Sequence, residues 1–547
     1  MKGLMQDAPL MISSLIQIGA DVYGGSEVVS VVAGEGVVRH TYREINQRAK
    51  QLAQALQSAG IGMTDRIATL AWNDHRHLEA YYGVSGMGAV VHTINPRLFP
   101  EQLIYIINHA EDRILLTDPM FLPLIEKIID NCPKLEKIVV LCSADNLPES
   151  ALDIIAYEDF IGGFDGNYDW PEFDETAASS LCYTSGTTGN PKGALYTHRS
   201  TVLHALMAGT PSVTGTGANE TLMPVVPMFH VNAWGQPYYA PLTGSKLVLP
   251  GPGLDGASLY NLIHAEGVTN TAGVPTIWLN LLKHTREVGG NLDSLNHVII
   301  GGSAAPGAMI QEFQDTYGTK VVHAWGMTEM SPLGSSGVLP PHVQKTTSDE
   351  EKFNLQVKQG HRVWGVAMKI VDDDEVPQAH DGKARGHLVV RGPWITSGYY
   401  NNHDANEKAF TKDGWFYTGD IATIDQDNFL QLVDRSKDVI KSGGEWISSI
   451  DLENEAVGAA GVAEAAVIGV AHPKWDERPV ALVVLEAGRE VPAEQVIEHC
   501  STAFAKWQLP DDVLYVESIP LTSTGKMDKK IVRADLDAQG YQLPDLR

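Results

Sequence analysis

Apolar and polar residues alternate along the first half of the chain with two different periods. Apolar residues fall three and four positions apart over residues 43–56, and the pattern continues over 76–83 and 101–110, which predicts amphipathic helices. Short runs of β-branched and aliphatic residues lie among these helices and predict strands that each end at a turn residue. These runs are residues 113–118, 137–141, 246–250 and 298–302. The alternation predicts an α/β fold in which helices cover the strands on both faces.

The pattern changes after residue 420 to short strands and small helices. Residues 465–470 and 480–485 are predicted as strands and residues 496–506 as a helix, which indicates a small α+β domain. The boundary is predicted at residues 434–438, a charged stretch without an apolar anchor. We therefore expect one domain over residues 1–434 and a second over 435–547. A surface turn and a hinge both fit the charged stretch.

Length and charge narrow the class of protein. A chain of 547 residues is too long for a single compact core, and a 44% hydrophobic fraction is typical of a folded protein, so an enzyme of several lobes is expected. The 67 acidic residues exceed the 40 Lys and Arg residues and give a net charge of −27. This charge argues against a nucleic-acid surface and against attraction to anionic lipid. Anionic ligands must therefore be bound by local basic residues.

Targeting signals and metal motifs are not evident in the sequence. The cysteines at positions 132, 142, 182 and 500 do not have the spacing of a metal site. The N-terminal segment carries an acidic residue at Asp7, which does not fit a signal peptide. Since apolar stretches are shorter than the roughly 20 residues of a membrane span, we expect a cytoplasmic protein without a transmembrane segment.

The strongest candidate for ligand binding is the run Tyr-Thr-Ser-Gly-Thr-Thr-Gly-Asn-Pro-Lys-Gly over residues 183–193. Glycines permit tight backbone turns, hydroxyls offer hydrogen-bond donors, and Lys192 adds a positive charge, which together suit a polyphosphate. A short strand predicted over residues 179–183 leads into it, as in α/β folds that bind ligands at strand ends. Pro191 and Gly193 depart from the common phosphate-loop pattern and weaken a kinase-like or GTPase-like interpretation. An ordinary Gly/Thr-rich turn is the alternative.

Two later segments also have unusual compositions. His230 and Trp234 lie four residues apart in an otherwise apolar run, where a lone histidine is more often a core residue than a ligand. Thr328 and Glu329 follow a strand-like segment and place a hydroxyl beside a carboxylate. Because Mg²⁺ bound with phosphates needs only one or two protein oxygens, this pair is sufficient for a magnesium site.

Taken together, the motifs resemble those of the adenylate-forming superfamily, which includes acyl-CoA synthetases, luciferases and peptide-synthetase adenylation domains. The resemblance covers the whole chain, in order and at suitable spacings. The sequences of residues 232–234 and 444–448 are most similar to those of medium- and long-chain fatty-acyl-CoA synthetases and of methylmercaptopropionate-CoA ligases. The motifs are residues 181–193, 228–230, 301–304, 325–329, 417–420, 434–448 and 522–526.

The resemblance implies a large multi-lobed N-terminal α/β domain and a small mobile C-terminal α+β domain. It also implies an AMP-forming acid-thiol ligase, in which a carboxylate attacks ATP to give an acyl-adenylate and CoA then displaces AMP. The implied substrates are ATP, CoA and a carboxylic acid, expected to be a medium- or long-chain fatty acid, and Mg²⁺ is the implied metal.

The resemblance also implies roles for individual residues. Lys526 would carry the adenylation step; without the resemblance it is a solvated lysine near Lys529 and Lys530. His230 and Glu329 are the other implied catalytic residues, and Thr184 and Glu329 would bind Mg²⁺. The implied ATP and AMP contacts are Thr184, Ser185, Gly186, Thr187, Thr188, Lys192, Gly302, Ser303, His323, Ala324, Trp325, Gly326, Met327, Thr328, Asp420 and Arg435.

Two further groups follow from the resemblance. Trp234 would close the mouth of an apolar tunnel, and Lys437 takes the hinge position, where many members have aspartate. The implied acyl contacts are His230, Val231, Trp234, Gly301 and Gly326. The implied hinge and CoA contacts are Lys437, Lys441, Gly443, Gly444, Glu445, Trp446 and Glu477.

Several alternatives stay open at this point. A 3-methylmercaptopropionate or other short-chain CoA ligase would share every motif, because substrate choice depends on pocket depth. An enzyme that loads a carrier protein is less favoured because the chain ends soon after Lys526. Luciferase-type oxidation would share the first half-reaction, and a catalytically silent nucleotide-binding scaffold is the remaining option. The resemblance further implies a homodimer as an expectation.

Overall fold

The computed structural model describes residues 1, 3–184, 190–443, 445–522 and 527–544. It divides into two compact units, Met1–Val366 with Gly392–Ala409, and Ala367–Arg391 with Phe410–Arg547. The second unit thus includes residues on the N-terminal side of position 435. Compactness does not locate a hinge, so the domain boundary at residue 435 stays a prediction.

The first unit contains two sheets with helices around them. Its strands are β1 (Glu27–Val32), β2 (Gly36–Thr41), β3 (Arg66–Leu70), β4 (Val90–Thr93), β5 (Asp112–Thr117), β6 (Lys137–Val140), β7 (Ile154–Ala156), β8 (Ala178–Tyr183), β9 (Gly193–Thr197), β10 (Thr221–Pro224), β11 (Lys246–Leu249), β12 (Asn270–Gly273), β13 (His297–Ile300), β14 (Lys320–Gly326), β15 (Leu333–Ser336) and β16 (His361–Arg362).

The helices of the first unit begin before the first strand and continue to its last segment. They are α1 (Ser13–Val22), α2 (Tyr42–Ser58), α3 (His75–Gly86), α4 (Pro100–Ala110), α5 (Leu122–Ile128), α6 (Tyr157–Gly162), α7 (His198–Ala208), α8 (Gln236–Thr243), α9 (Gly256–Glu266), α10 (Pro275–Glu287), α11 (Gly307–Tyr317), α12 (Pro341–Thr346), α13 (Asp349–Gln356) and α14 (His403–Asn406).

Both sheets of the first unit are mainly parallel. One has the strand order β7-β6-β5-β3-β4-β8-β9, and only its last pair, β8 with β9, is antiparallel among the described strands. The other has the order β16-β15-β14-β13-β12-β10-β11-β1-β2, with a parallel centre from β14 to β1. The parallel arrangement brings the carboxyl ends of β12, β13 and β14 to one edge.

Helix α2 shows how the sequence directs these elements. The Thr41 hydroxyl accepts a hydrogen bond from the amide of Glu44, whose carboxylate accepts one from the Thr41 amide, so the helix begins with a capping box. Ile45, Leu52 and Leu56 lie on its buried face. Burial of each such side chain contributes about 1.5–3 kcal/mol. The predicted helices over 43–56, 76–83 and 101–110 are confirmed as α2, α3 and α4.

The second unit is built of strands of up to 11 residues and helices of 8 to 10 residues in its described part. Its strands are β17 (Ala367–Val371), β18 (Gly386–Arg391), β19 (Phe416–Ile424), β20 (Leu430–Arg435), β21 (Ile440–Ser442), β22 (Glu445–Ile447), β23 (Val462–His472), β24 (Asp476–Leu485) and β25 (Asp512–Tyr515). Its helices are α15 (Ser449–Gly458), α16 (Ala493–Cys500) and α17 (Lys529–Ala538).

The strands of the second unit form two sheets. Strands β17 to β20 pair in chain order as an antiparallel sheet, and the other sheet has the order β22-β21-β24-β23 with β25 parallel to β24. No helix in the described part of either unit combines the length and the apolar character of a membrane span.

The predicted helix over residues 496–506 is wrong in its bounds. Helix α16 begins earlier, at Ala493 after Pro492, and ends at Cys500. The hydroxyls of Ser501 and Thr502 donate to the carbonyls of Glu498 and His499 and compete with continued helix formation. Periodicity alone does not detect this local competition.

Candidate active site

The predicted phosphate loop closes a hairpin in the first unit. Strand β8 ends at Tyr183 and pairs with β9 at Gly193, which confirms the strand predicted over residues 179–183. The Thr184 amide donates to the Lys192 carbonyl at 2.9 Å, and the Lys192 amide donates to the Thr184 hydroxyl at 3.3 Å. The two ends of the loop are therefore fixed to each other. The predicted contacts Ser185, Gly186, Thr187 and Thr188 lie outside the described residues.

Lys192 and Glu329 meet at one tyrosine. The Lys192 ammonium lies 4.9 Å from the centroid of the Tyr399 ring. The Tyr399 hydroxyl donates to Glu329 Oε1 at 2.7 Å, and Glu329 is only 6% exposed. A residue predicted to bind phosphate thus lies over the ring face of Tyr399, and a residue predicted to bind metal accepts from its hydroxyl.

Sequence reasoning did not identify Tyr399. Its backbone forms a β-bridge with Ala194, and the adjacent Tyr400 amide donates to the Gly193 carbonyl at 2.8 Å, beside the start of β9. The Asn406 side chain accepts from the Tyr399 amide at 2.6 Å and donates to its carbonyl at 3.1 Å. The available signal was a pair of tyrosines after a glycine, which is too common to indicate a site without the fold.

The electrostatics keep this phenol protonated. Burial raises the pKa of Tyr399, and the neighbouring Glu329 carboxylate raises it further. The hydroxyl therefore remains a donor at physiological pH. It fixes one oxygen of Glu329 and orients the carboxylate.

The backbone around Glu329 is held on both sides. The Thr396 amide donates to the Glu329 carbonyl at 2.8 Å, and the Tyr196 hydroxyl donates to the Thr328 carbonyl. Thr328 is 7% exposed, so the hydroxyl and the carboxylate of this pair are both largely buried. The short turn Thr328–Met330 follows β14 directly, as the sequence predicted.

The donor set fits Mg²⁺. Glu329 and the Thr184 hydroxyl offer the hard oxygen atoms that Mg²⁺ prefers, and Mg²⁺ in nucleotide sites keeps water and phosphate as its other ligands. The described residues contain no group of three or more His, Cys, Asp or Glu side chains that could hold a metal alone. The protein side of this site is therefore suited to an ion that arrives with a phosphate.

The segments predicted to bind the nucleotide emerge from one edge of the sheet that contains β13 and β14. Strands β13 and β14 are parallel, with Ile300 opposite His323. Gly302 follows β13 with a φ of +84°, in the left-handed region that favours glycine. A Cβ on Gly326 would lie 2.1 Å from the Pro332 carbonyl oxygen, so only glycine fits there. Strand β14 and the turn after it carry His323, Ala324, Trp325, Gly326, Met327 and Thr328, and the loop after β13 carries Gly301, Gly302 and Ser303.

His323 is a neutral, buried residue of this edge. It is 1% exposed, and its Nδ1 lies 3.1 Å from the Val357 carbonyl oxygen. Burial lowers its pKa to about 4. His323 is therefore available for hydrogen bonding and not for charge neutralisation near pH 7.

Acid is expected to destabilise the first unit. Burial lowers the pKa of His77, His198 and His323 to about 4 and that of His204 to about 3, whereas unfolded histidine titrates near 6.5. The unfolded chain therefore binds more protons between these values, and stability that is full above pH 6.5 is lost as the pH falls towards 4. At pH 5 each group costs about 2 kcal/mol.

Thermal unfolding between pH 7 and pH 5 measures this effect. The His204→Gln variant should show a smaller fall in Tm over this interval, because glutamine does not titrate. The fold should be retained, since an amide oxygen can still accept from the Leu333 amide, as His204 Nε2 does at 3.2 Å. An equal fall in both proteins would contradict the contribution of His204.

Two of the predicted acyl contacts, Trp234 and Gly301, lie side by side. Trp234 lies beside Gly301, since a Cβ on Gly301 would be 3.0 Å from Cη2 of the indole. His230, half-buried, begins the turn that carries Val231 and Trp234. The indole packs on an apolar cluster at the interior face of β10 to β14. The cluster consists of Val226, Ala272, Ile299 and Val322, with Trp234, Ala324 and Val338 packed against it.

In the second unit, two of the predicted ATP and AMP contacts, Asp420 and Arg435, form an ion pair. They lie opposite each other on β19 and β20, and Arg435 Nη1 is 3.0 Å from Asp420 Oδ1. Asp420 is 3% exposed, and its amide donates to the Thr418 hydroxyl at 3.1 Å. The guanidinium thus orients a buried carboxylate.

Of the predicted hinge and CoA residues, Lys437 lies between β20 and β21, and Lys441, Gly443, Glu445, Trp446 and Glu477 lie on the β21–β22 hairpin and on β24. The Lys441 amide donates to Glu477 Oε2 at 2.9 Å, and Lys441 pairs with Trp446 across the hairpin. Gly443 has a φ of +63°, and Glu445 begins β22. Burial lowers the pKa of Lys437. Gly444 and Lys526 lie outside the described residues.

The fold and the site define an adenylate-forming enzyme. The chain belongs to the AMP-binding enzyme family: the family model matches residues 20–400, and the model of the AMP-binding enzyme C-terminal domain matches residues 451–526. The recognition of this superfamily from the sequence motifs is confirmed.

Curated relatives match nearly the full chain. A medium-chain-fatty-acid–CoA ligase of Ectopseudomonas oleovorans is 48% identical over 535 residues, covering 97% of each chain. A 3-methylmercaptopropionyl-CoA ligase of Ruegeria lacuscaerulensis is 49% identical over 537 residues, covering 97% of this chain and 98% of the relative.

A solved structure supports the fold. The crystal structure of an anthranilate CoA ligase in complex with anthranoyl-AMP superposes with a TM-score of 0.85 at 24% identity and covers 98% of this chain and 100% of its own. The likeness confirms the predicted adenylate-forming fold.

Proposed function

We propose that the protein is an ATP-dependent acyl-CoA synthetase that activates a medium- or long-chain fatty acid through an acyl-adenylate, with release of AMP and pyrophosphate. One observation carries the acyl part of this proposal. Gly301 lies between two features. One is the edge of β13 and β14 from which the predicted nucleotide-binding segments emerge, and the other is the Trp234 indole. The apolar cluster begins behind that indole, so a carboxylate held at Gly301 would have its tail directed into it.

The first half-reaction needs two anions to meet. Lys192 and Lys526 supply positive charge for the triphosphate and the attacking carboxylate, and His230 would lie at that carboxylate. Thr184 and Glu329 would hold Mg²⁺, which when bound neutralises phosphate charge. Thr328, Gly302 and their neighbours on the β13–β14 edge would contact AMP.

The second half-reaction is proposed to use the second unit. Asp420, supported by Arg435, would accept hydrogen bonds from the ribose hydroxyls of ATP and of AMP, and so would act in both half-reactions. The Lys441–Trp446 face of the β21–β22 hairpin, with Gly443 and Glu477 beside it, would receive CoA. Small residues there suit a narrow thiol channel.

A long acyl tail would follow the face of β13 that carries Gly301. Gly301, Ile299 and His297 alternate along β13 and so share one face, and the apolar cluster covers this face up to Ile299. Val322, Val338 and His297 also line a groove of about 530 Å³, together with polar residues that include Gln314, Lys320 and Gln344. Four residues of strand span about 13 Å. An extended chain of about ten carbons fits that length, since each C–C bond advances by little more than 1 Å.

The alternative substrate is 3-methylmercaptopropionate. It is supported by the Ruegeria relative, which is as similar to this chain as the fatty-acid ligase. A short acid would reach only the Trp234 end of the apolar face. Loading of a carrier protein is the remoter alternative.

An AMP-release assay across carboxylic acids from about three to eighteen carbons, with methylthiopropionate included, tests the proposal. We expect CoA-dependent AMP release with the highest kcat/KM near ten carbons, because one methylene is worth about 1–3 kcal/mol in an apolar pocket. A preference for methylthiopropionate would support the alternative. Pyrophosphate release that never depends on an added acid would contradict an acyl-CoA synthetase.

Trp234→Ala is expected to change the KM for fatty acids by about tenfold, because the indole fills the space between Gly301 and the apolar cluster. The KM for ATP should stay within twofold of the parent value. Steady-state and burst kinetics across the acid series measure the effect. Trp364→Ala is the matched control, since Trp364 is 66% exposed in the same unit. Unchanged kinetics at every chain length would rule out a gating role.

A further inference from the structure

The segment that carries Trp234 has a backbone conformation that L-amino acids avoid. Val231, Asn232, Ala233 and Trp234 have φ values of 47°, 51°, 47° and 54°, and Gly235 follows at 82°. Single left-handed residues are common, but consecutive ones are rare because each Cβ approaches a carbonyl oxygen. Valine is among the least tolerant residues here, since it is β-branched. Such strain persists only where the surroundings enforce it.

Asn232 provides the interactions that enforce it. Its side chain is buried, with 3% of the residue exposed. Its Oδ1 accepts from the Cys182 thiol at 3.3 Å and lies 3.2 Å from the Tyr81 hydroxyl, which also donates to the Met228 carbonyl. Its Nδ2 donates to the Ser180 hydroxyl at 3.1 Å. Ser180 and Cys182 lie on β8, the strand that leads into the phosphate loop. A buried amide with these partners resists rotation, since losing them would leave polar atoms unpaired.

The chain is also fixed on both sides of the turn. Before it, the Asn73 side chain accepts from the Met228 amide at 2.6 Å and donates to the Val226 carbonyl at 3.0 Å. After it, the His204 ring lies where a Cβ of Gly235 would be, at 2.7 Å. The turn can therefore change hand only if Asn232 releases its partners.

The left-handed turn determines where the indole lies. Each φ in the turn sets the direction of the following Cα–Cβ bonds, and Trp234 is the last non-glycine residue in it. With these φ values, the indole lies against Gly301. A right-handed turn would direct the side chain elsewhere.

We propose that Asn232 is a positioning residue that holds the left-handed turn through Tyr81, Ser180 and Cys182 and thereby fixes Trp234 against Gly301, so that acyl-chain selection depends on it. The inference rests on the proposed function for its kinetic consequence. Its structural consequence, the place of the indole, does not require catalysis.

Two substitutions separate the anchor from the backbone strain. Asn232→Gly permits the left-handed backbone but removes the side-chain anchor, whereas Ala233→Gly relieves strain and keeps the anchor. If the anchor positions Trp234, Asn232→Gly should lower the kcat/KM ratio of decanoate to propionate at least about tenfold, with the KM for ATP within twofold. Ala233→Gly should keep the parent ratio. A purely structural role would lower Tm without moving the ratio.

A second readout follows the indole directly. Protein labelled with 5-fluorotryptophan gives ¹⁹F resonances for its 11 tryptophans, and the Trp234→Phe variant identifies that of Trp234. The Trp234 resonance should shift or broaden in Asn232→Gly and stay in place in Ala233→Gly. If Asn232→Gly does not fold, Ser180→Ala removes one of the three contacts and should give a smaller shift in the same direction.

The outcomes are distinct. An unmoved Trp234 resonance in both Asn232→Gly and Ser180→Ala would overturn the inference, as would an Ala233→Gly variant that loses selectivity equally. If the Trp234 resonance moves in Asn232→Gly but the parent protein activates no carboxylic acid, the positioning role is supported and the proposed function is overturned.

Discussion

Lys526→Ala is expected to reduce acyl-adenylate formation by at least about a hundredfold, the usual loss when one group that stabilises transition-state charge is removed. The carboxylate and the α-phosphate repel each other until a cation lies between them. The resemblance gives this role to Lys526. The same substitution should leave thioester formation from supplied acyl-adenylate and CoA within about twofold of the parent rate, since no triphosphate takes part in that step.

Two assays measure the two half-reactions separately. Acid-dependent pyrophosphate release measures acyl-adenylate formation, and CoA consumption with synthetic acyl-adenylate measures thioester formation. Lys530→Ala is the matched control, because Lys530 is an exposed lysine only four residues away. It should leave both halves unchanged. Equal loss of both halves in Lys526→Ala would contradict a role confined to adenylation.

Glu329→Gln should lower the rate of the first half-reaction by about a hundredfold or more and raise the Mg²⁺ concentration needed for half-maximal rate. A neutral amide is a poor ligand for a hard cation. The amide oxygen can still accept the Tyr399 hydrogen bond, so the fold around the site should be retained. A Mg²⁺ titration of pyrophosphate release, with Tm as a folding check, measures the effect.

Tyr399→Phe is the matched comparison. It removes only the hydroxyl that donates to Glu329 at 2.7 Å and keeps the ring beneath Lys192. Loss of one neutral hydrogen bond is worth about 0.5–1.5 kcal/mol, so the rate should fall by about tenfold or less. If Glu329→Gln shows the parent response to Mg²⁺, Glu329 is not a metal ligand.

The sequence predicted those parts of the structure that depend on local patterns. Helix α2 is long, periodic and capped, and strand β8 precedes a glycine-rich turn, so both could be located from the sequence. Residues in motifs that follow one another in the order of the superfamily, such as Lys192 and Glu329, could be selected as candidate site residues. The resemblance supplied their roles, which remain proposals.

Features that depend on distant contacts could not be predicted. Tyr399 reaches Glu329 only because its backbone pairs with Ala194 at the start of β9. The left-handed turn at Val231–Gly235 runs against intrinsic backbone preference and exists because α3 and β8 bind the Asn232 side chain. Hydrophobic periodicity contains no information on either interaction.

The place of Tyr399 has a consequence for substrate exchange. A lysine and a glutamate brought together directly would attract each other and resist separation when a nucleotide arrives. A ring face and a neutral hydroxyl hold such groups more weakly than an opposite charge does. Tyr399 therefore holds the side chains of Lys192 and Glu329 in place without neutralising the charge of either. In the proposed function, an incoming phosphate and its cation would replace these contacts, and Lys192 and Glu329 would return to Tyr399 when pyrophosphate departs.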